Sequence, residues 1–256
     1  MASALIGSTG LIGGTLLRQT RFDDGFHSTD IETIEGRAYE LLVCAGAPAE
    51  KWRANKDPEA DWANLQRLMG CLAKVSAAHV LLISTVDVYP SPVDVDEETV
   101  ISPDGGNAYG RHRYRLEEFI RSRFPATCLR LPGLVGTGLK KNVIFDLTHG
   151  QPLDNVSPDS RFQFYPLDRL WSDMEIARKA GLGLVNFATE PVSVRDVARA
   201  AVGRDFENAR APTPVRYDMR TRHADRFGGS GGYVLDRAAE LAAISAYAAS
   251  VRSAQA

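Results

Sequence analysis

The sequence predicts an α/β fold with a doubly wound parallel sheet, followed by a smaller C-terminal lobe. Short apolar runs, typical of parallel strands buried on both faces, alternate with segments of helical periodicity in the first half of the chain. This alternation weakens beyond Gly136 and Gly138. We therefore expect a core domain at residues 1–136 and a lobe at 137–256, with about 184–201 as a segment that returns to the main sheet.

A glycine-rich turn between the first predicted strand and the first predicted helix carries the earliest functional signal. Gly7, Gly10 and Gly13 follow a short apolar run at three-residue spacing. Gly7 would allow a tight turn, Gly10 a close approach of the backbone to a pyrophosphate, and Gly13 close packing of helix on strand. The predicted amide donors are those of Leu11 and Ile12. The spacing differs from the usual G-x-G-x-x-G, and a plain turn is the alternative.

Composition and charge restrict the class of protein. The 256 residues carry a formal net charge of −2, which gives no indication of a nucleic acid or an anionic membrane as partner. The sequence has no run of 18 apolar residues and no basic segment before its first apolar run, so we expect a cytoplasmic protein without a signal peptide. Three scattered cysteines, Cys44, Cys71 and Cys128, fit buried thiols and not a metal site.

An acidic residue follows the region where a second strand is expected. Asp30 lies 17 residues after Gly13 and is the candidate for the ribose contact of a dinucleotide, which would favour NAD over NADP. The alternative is a local cap, in which Thr29 or Asp30 begins a short helical turn and Glu32 completes a Thr-x-x-Glu box. Only some forty residues separate Gly7 from the next clear strand, 41–46, so this half of the sheet looks trimmed.

Polar side chains occupy the next strand end and two predicted helices. The helix that opens at Asp57-Pro58 carries Asn64. The apolar strand 79–85 ends in Ser84 and Thr85, at the carboxyl end where ligands bind in parallel sheets. A polar loop leads to a helix over 109–123 that begins with Tyr109 and has Arg113 one turn later, and a strand over 127–131 follows.

Together these features resemble the extended short-chain dehydrogenase/reductases, also called the NAD-dependent epimerase/dehydratase family. The resemblance covers most of the chain up to Gly138 and adds a Ser-Val helix start at 192–198. The motifs are Gly7-x-x-Gly10-x-x-Gly13, Asn64 on a helix, Ser84-Thr85 at a strand end, Tyr109-x-x-x-Arg113, and Leu129-Arg130-Leu131-Pro132-Gly133-Leu134-Val135-Gly136. The joint order of the motifs is more specific than any one of them.

The resemblance implies a Rossmann-type domain that binds NAD or NADP, and a C-terminal lobe that holds substrate. In the family a Ser or Thr, a Tyr and a Lys transfer the proton beside the nicotinamide. These roles fall on Thr85, Tyr109 and Arg113, so the lysine position holds an arginine. A cation near the phenol, whose usual pKa is about 10, would favour its ionised form. Arginine leaves the family's ribose contact in doubt, and the plain alternative is a surface pair of Arg113 with Glu117 at i+4.

The resemblance also implies further cofactor contacts and a substrate class. The predicted cofactor residues are Gly7, Thr9, Gly10, Leu11, Ile12, Gly13, Asp30, Ala45, Gly46, Asn64, Tyr109, Arg113 and Pro132. Gly133 stands where nucleotide-sugar enzymes of the family usually carry Asn, which argues against a standard 4-epimerase. Cations in the lobe, among them Lys141 and Arg169, suit an anionic substrate or are plain surface charges. A homodimer through the helices near 61–74 and 109–123 is also implied.

Three functions stay open from the sequence. The first is an NAD(P)-dependent oxidoreductase acting on a carbonyl or secondary alcohol of a small molecule, with a sugar-derived substrate as one option. The second is a non-catalytic dinucleotide-binding sensor or scaffold. The third is an epimerase or dehydratase that retains its cofactor. Thr85 and Tyr109 are both present, which favours chemistry over a scaffold.

Overall fold

The computed structural model describes residues 2–255. Its strands are β1 (Ser3–Ile6), β2 (Asp24–Phe26), β3 (Ala38–Cys44), β4 (Ser76–Thr85), β5 (Val93–Val95), β6 (Ala126–Leu131), β7 (Gly133–Val135), β8 (Arg161–Phe162), β9 (Phe164–Pro166), β10 (Leu184–Asn186), β11 (Val192–Ser193) and β12 (Asp218–Met219). Its α-helices are α1 (Leu11–Gln19), α2 (Lys51–Lys56), α3 (Pro58–Leu72), α4 (Ala108–Arg123), α5 (Val143–Thr148), α6 (Leu170–Lys179), α7 (Val194–Val202) and α8 (Arg237–Gln255). Short 3-10 helices span Ile31–Ile34, Val86–Val88, Leu167–Arg169 and Ala224–Phe227.

A six-stranded sheet with the order β10-β6-β4-β3-β1-β2 forms the centre of the fold. β1 runs parallel to both β2 and β3, and β3 runs parallel to β4 from Ala38 opposite Ser76 to Cys44 opposite Leu82. The predicted doubly wound parallel α/β fold is therefore confirmed. The short β10 occupies one edge of the sheet, within the stretch expected to return to it.

The trimmed half of the sheet ends at β2. This strand has three residues, forms the other edge of the sheet, and is joined to β3 through a 3-10 helix instead of an α-helix. The inner strands are apolar because both of their faces are covered, and Leu5, Leu42 and Leu81 are fully buried. The short crossover therefore leaves the carboxyl end of β1, where the glycine turn begins, close to the sheet edge.

The chain forms two compact units, each assembled from several stretches. The first contains the chain up to Ser91, Glu98–Arg130 and Leu170–Val185, and the second contains Pro92–Glu97, Leu131–Arg169 and the chain from Asn186 onward. The division predicted from the sequence was a single cut after residue 136. All predicted site residues except Pro132 belong to the first unit.

The second unit is built from short strand pairs. β7 pairs with β9, β8 with β11 and β5 with β12. Gly133 opens β7 directly against β9, where a Cβ would lie 2.8 Å from a ring carbon of Phe164. Close packing therefore explains glycine at the position where the family's nucleotide-sugar enzymes carry Asn. Lys141 of this unit pairs with Asp146 at 2.9 Å, and Arg169 donates to the carbonyl oxygen of Phe227.

Candidate active site

The three glycines of the first turn differ in what surrounds them. Gly7 has a φ of +87°, and a Cβ on it would lie 2.3 Å from the carbonyl oxygen of Ala45. A Cβ on Gly13 would lie 2.1 Å from the carbonyl oxygen of Gly7. Gly10 has only one neighbour within 4 Å, the same carbonyl oxygen at 3.4 Å. Packing of the protein itself thus requires Gly7 and Gly13 but leaves the space beside Gly10 open.

That open space lies at the start of α1. Gly10 is the N-cap residue and supplies no side-chain cap, so the amides of Leu11 and Ile12 in the first turn lack acceptors within the helix. The glycine turn is attached to β2, because the backbone N–H groups of Gly7 and Ser8 both donate to the carbonyl oxygen of Phe26 at the end of that strand. The helix has no acidic residue in its first turn, so its N-terminus suits an anion.

Asp30 lies four residues past the end of β2 and makes a local contact. Its Oδ1 accepts from the backbone N–H of His27 at 2.7 Å, and its Oδ2 lies 3.1 Å from Nε2 of the same histidine. The alternative capping box is absent, because the Asp30 side chain does not cap the helix Ile31–Ile34 and Glu32 pairs with Arg67. Asp30 is half-exposed at the end of the strand, and its ribose contact stays a prediction.

Thr85 and Tyr109 are brought together by β4 and α4. Thr85 ends β4, where its Oγ1 accepts from the backbone N–H of Asp87 at 3.2 Å. Tyr109 is the buried second residue of α4. Burial raises the pKa of Tyr109, the Arg113 charge and the nearby Thr85 hydroxyl oppose that rise, and the Asp87 carboxylate adds to it. The phenol is therefore protonated at neutral pH.

Gly110, which the sequence analysis did not single out, lets α4 approach this site. A Cβ on Gly110 would lie 1.9 Å from the carbonyl oxygen of Asp87, so any other residue would push the helix away. Asn107 caps the helix by accepting from the backbone N–H of Gly110 at 3.1 Å. The Asn-x-Tyr-Gly order in the sequence was the available signal, since it combines an N-cap residue with a glycine in the first helical turn.

Arg113 is buried one turn beyond Tyr109, with only 3% of its surface exposed. Its Nη1 and Nη2 donate to the two oxygens of Asp61 at 2.5 and 2.9 Å, and Nη2 also donates to the carbonyl oxygen of Pro48 at 2.5 Å. The guanidinium carbon lies 4.0 Å from the centre of the Tyr109 ring. Arg113 does not form the surface pair with Glu117. Its charge instead lies beside Tyr109, the candidate proton donor.

One donor of Arg113 has no protein partner. Nε is buried and makes no hydrogen bond within residues 2–255, although burial of an unsatisfied donor costs about 1–3 kcal/mol. The Pro48 carbonyl that Arg113 binds follows the end of β3, where Ala45 and Gly46 were predicted to contact a cofactor. The unpartnered Nε of Arg113 suits a ligand that supplies an acceptor oxygen.

Asn64 lies on an exposed face of α3, and Pro132 is assigned to the second compact unit, so the cofactor contacts of both stay predictions. Three residues that the sequence reasoning missed contact the predicted residues or their neighbours. Asn55 accepts from the backbone N–H of Tyr109 at 3.0 Å, Asp61 binds Arg113, and Lys51 pairs with Asp87 at 2.6 Å.

A second buried ion pair lies deeper in the same unit. Arg130 of β6 binds Glu117 of α4, with its Nη2 2.6 Å from Oε2, and donates from Nη1 to the Tyr89 hydroxyl at 2.7 Å. The Ser84 hydroxyl also donates to Glu117. The network joins α4 to β4 and β6, and so fixes the helix that carries Tyr109 against the strand that carries Thr85.

Two further searches of residues 2–255 bear on the class of protein. They contain no cluster of three or more His, Cys, Asp or Glu side chains suited to a metal ion. Within the same residues, none of the helices combines the length and the apolar character needed to cross a bilayer. The three cysteines are buried free thiols, and burial raises the pKa of Cys44 to about 11.

Solved structures with the same architecture decide the fold family. MoeE5 in complex with UDP-glucose and NAD aligns over 100% of both chains with a TM-score of 0.76 and 13% identity. The chain has the fold of the NAD-dependent epimerase/dehydratase family. The UDP-glucose 4-epimerase of Thermotoga maritima, solved with UDP-glucose, aligns over 100% of both chains with a TM-score of 0.74 and 14% identity.

A third structural neighbour has the same fold. A double mutant of the dTDP-glucose 4,6-dehydratase DesIV from Streptomyces venezuelae, with NAD and DAU bound, has a TM-score of 0.73 at 15% identity over 99% of this chain and 98% of that one. No family model and no curated protein matches the sequence. The predicted resemblance is therefore confirmed at the level of the fold, although the sequences have diverged widely.

Proposed function

We propose that this protein is an NAD(P)-dependent oxidoreductase of the epimerase/dehydratase type, acting on a carbonyl or secondary alcohol of a sugar-derived small molecule. The observation that carries the proposal is the buried charge of Arg113, 4.0 Å from the ring of Tyr109, with the Thr85 hydroxyl near the same phenol. The structural neighbours solved with UDP-glucose and NAD support the substrate and cofactor classes. A retained-cofactor epimerase or dehydratase of nucleotide sugars is the second candidate, favoured by the same neighbours.

The residues fit a nicotinamide dinucleotide. The open space beside Gly10 and the free amides of the first turn of α1 suit a pyrophosphate, and the unpartnered Nε of Arg113 suits an acceptor oxygen. The residues that would hold the cofactor are Gly7, Thr9, Gly10, Leu11, Ile12, Gly13, Asp30, Ala45, Gly46 and Arg113. When bound, the dinucleotide supplies hydride transfer chemistry and, in its oxidised form, a positive charge.

Tyr109 performs the proton transfer in this proposal. Its protonated phenol donates to the substrate oxygen when a carbonyl is reduced, and the phenolate accepts that proton when an alcohol is oxidised. The Thr85 hydroxyl donates a hydrogen bond to the same oxygen as negative charge develops. The charge of Arg113 partly offsets the rise that burial causes in the pKa of the Tyr109 phenol.

Tyr109→Phe tests the catalytic role. The change keeps the ring that packs under Arg113 and removes only the hydroxyl, so turnover should drop by about a hundredfold or more while cofactor still binds. Turnover is measured with a panel of UDP- and dTDP-sugars and either NAD+ or NADP+, and Tyr114→Phe on the same helix is the matched control. Tyr109→Phe enzyme that keeps the wild-type rate would disprove the role.

Gly10 and Gly13 form a matched pair for the cofactor site. Gly10→Val places a side chain where the protein leaves room, so the fold should survive while dinucleotide affinity falls at least about tenfold. Gly13→Val instead collides with the Gly7 carbonyl and should destabilise the fold itself. Fluorescence titration with NADH and NADPH measures the affinity for each cofactor. Unchanged affinity in Gly10→Val would exclude the pyrophosphate site beside Gly10.

The same titration of the wild type tests Asp30. Tighter binding of NADPH than of NADH would exclude Asp30 from contact with the cofactor ribose.

A further inference from the structure

A lysine outside the predicted motif lies beside the candidate hydroxyl pair. Lys51 begins α2, and its Nζ lies 2.6 Å from Oδ1 of Asp87. The backbone N–H of Asp87 donates to the Thr85 hydroxyl at 3.2 Å, so this carboxylate follows the catalytic strand end by two residues. The negative charge of Asp87 raises the pKa of the Tyr109 phenol and so opposes formation of a phenolate.

The helix that carries Lys51 is attached to Tyr109. Asn55, one turn later in α2, accepts from the backbone N–H of Tyr109 at 3.0 Å, and Ala54 between them is buried. Gly110 packs on the carbonyl of Asp87 from the other side. The helix of Lys51 and the carbonyl of Asp87 therefore both contact the backbone of the first turn of α4, in addition to the side-chain pair of Lys51 and Asp87.

The charge of Arg113 is already engaged. Its guanidinium grips both oxygens of Asp61, and His112 Nδ1 contacts the same carboxylate at 2.7 Å. The Arg113 charge is shared with Asp61, although it still opposes the rise in the pKa of Tyr109. The charged groups that act on Tyr109 also include Asp87 and Lys51.

We propose that Lys51 is a second cationic residue of this site, which neutralises Asp87 beside Thr85 and Tyr109 and so supports proton transfer at the Tyr109 hydroxyl. The inference rests on the proposed function, since it assigns Lys51 to the same proton transfer. Lys51 acts through Asp87 and is a positioning residue. It lies 39% exposed, so its replacement removes a charge without opening the core.

A fluorine titration of Tyr109 tests the proposal without cofactor or substrate. A fluorinated tyrosine of lower intrinsic pKa is incorporated at position 109, and its 19F shift is followed against pH. Lys51→Met should raise the midpoint by about 0.5 pH or more, because it removes a cation that offsets the negative charge of Asp87. Lys51→Arg should restore the wild-type midpoint. Lys56→Met, at the exposed end of the same helix, should leave it unchanged.

Replacement of Asp87 completes a double-mutant cycle with Lys51. Asp87→Asn should lower the midpoint, and Lys51→Met added to Asp87→Asn should shift it less than Lys51→Met does alone, because the negative charge is gone. A midpoint that Lys51→Met leaves unchanged, or that Lys56→Met moves as far, overturns the inference. Lys51→Gln replaces Lys51→Met if that variant does not fold. Failure of the proposed function would show separately, as turnover that survives Tyr109→Phe.

Discussion

Two buried arginines of the first unit differ in how completely the protein satisfies them. Arg130 is 2% exposed, and each of its three side-chain nitrogens donates to Glu117 or Tyr89. Arg113 is 3% exposed, but its Nε has no partner. Arg130 lies in β6, within the central sheet, whereas Arg113 lies on α4 over the ring of Tyr109.

The difference distinguishes a structural charge from the proposed functional one. A buried arginine whose three nitrogens all have acceptors holds its neighbouring elements together. A buried arginine nitrogen without an acceptor carries a free-energy cost that a bound acceptor would relieve. The comparison favours a structural role for Arg130 and supports the proposed site role of Arg113, and the two roles predict different responses to mutation.

Arg130→Met should give the largest effect, a loss of about 3–5 kcal/mol in the free energy of unfolding. Glu117, which is fully buried, would be left as an uncompensated charge. Urea unfolding measures the loss. The double variant Arg130→Met/Glu117→Leu should recover most of it, because both charges are then gone. If the double variant is as unstable as the single one, the pair is not the cause.

Arg113→Ala should cost less stability, about 1–3 kcal/mol, because Asp61 keeps its contact with His112. Dinucleotide affinity and turnover should fall as well, which is not expected for a purely structural charge. Arg113→Lys, the matched control, should retain or raise turnover if position 113 performs the role of the family lysine. Unchanged dinucleotide affinity and turnover in both variants would show that Arg113 takes no part in the site.

The Arg113 pair also predicts a pH dependence. Burial alone would raise the pKa of Asp61, but the hydrogen bonds and charges of Arg113 and His112 hold it below its usual value. A depressed pKa stabilises the fold above the unfolded value of about 4, and this contribution is lost as pH falls through the folded value. Arg113→Ala should therefore show a weaker loss of stability on acidification below about pH 4 than the wild type, when urea unfolding is followed against pH.

Glu240 in the second unit extends the comparison to a buried acid with no cation, and should give the smallest effect. Burial raises its pKa to about 8, partly offset by the neighbouring Thr189 hydroxyl and by the backbone N–H of Phe164 that donates to Oε1 at 2.8 Å. The raised pKa favours the protonated fold, so stability should fall as pH rises from about 4.5 towards 8 and level off above it.

Glu240→Gln isolates that effect. The amide oxygen can still accept from Phe164, and it carries no charge to bury. From pH 5 to pH 8 the variant should gain stability relative to the wild type, because only the wild type has a charge to bury at the higher pH. Thermal unfolding at both pH values measures it. An equal difference at the two pH values would show that Glu240 does not titrate in this range.

Local patterns in the sequence determined the framework of the site. The strand, glycine turn and helix at the start of the chain, the hydroxyl at the end of β4 and the tyrosine at the start of α4 are all encoded within a few residues. Helical spacing alone places position 113 on the same side of α4 as Tyr109, one turn later. The shortening between β1 and β3 was also readable from the few residues that separate them, and the structure has a three-residue β2 and a 3-10 helix there.

Only the tertiary structure decided the partners of these residues. The i+4 spacing pointed from Arg113 to Glu117, but Glu117 binds Arg130 from β6 and Arg113 binds Asp61, 52 residues away. Lys51 reaches Asp87 across 36 residues and Asn55 reaches Tyr109 across 54. Asn64 has the predicted helix, but its face of α3 is exposed. Such pairings depend on which helix faces meet once the sheet has formed, and no short-range periodicity records them.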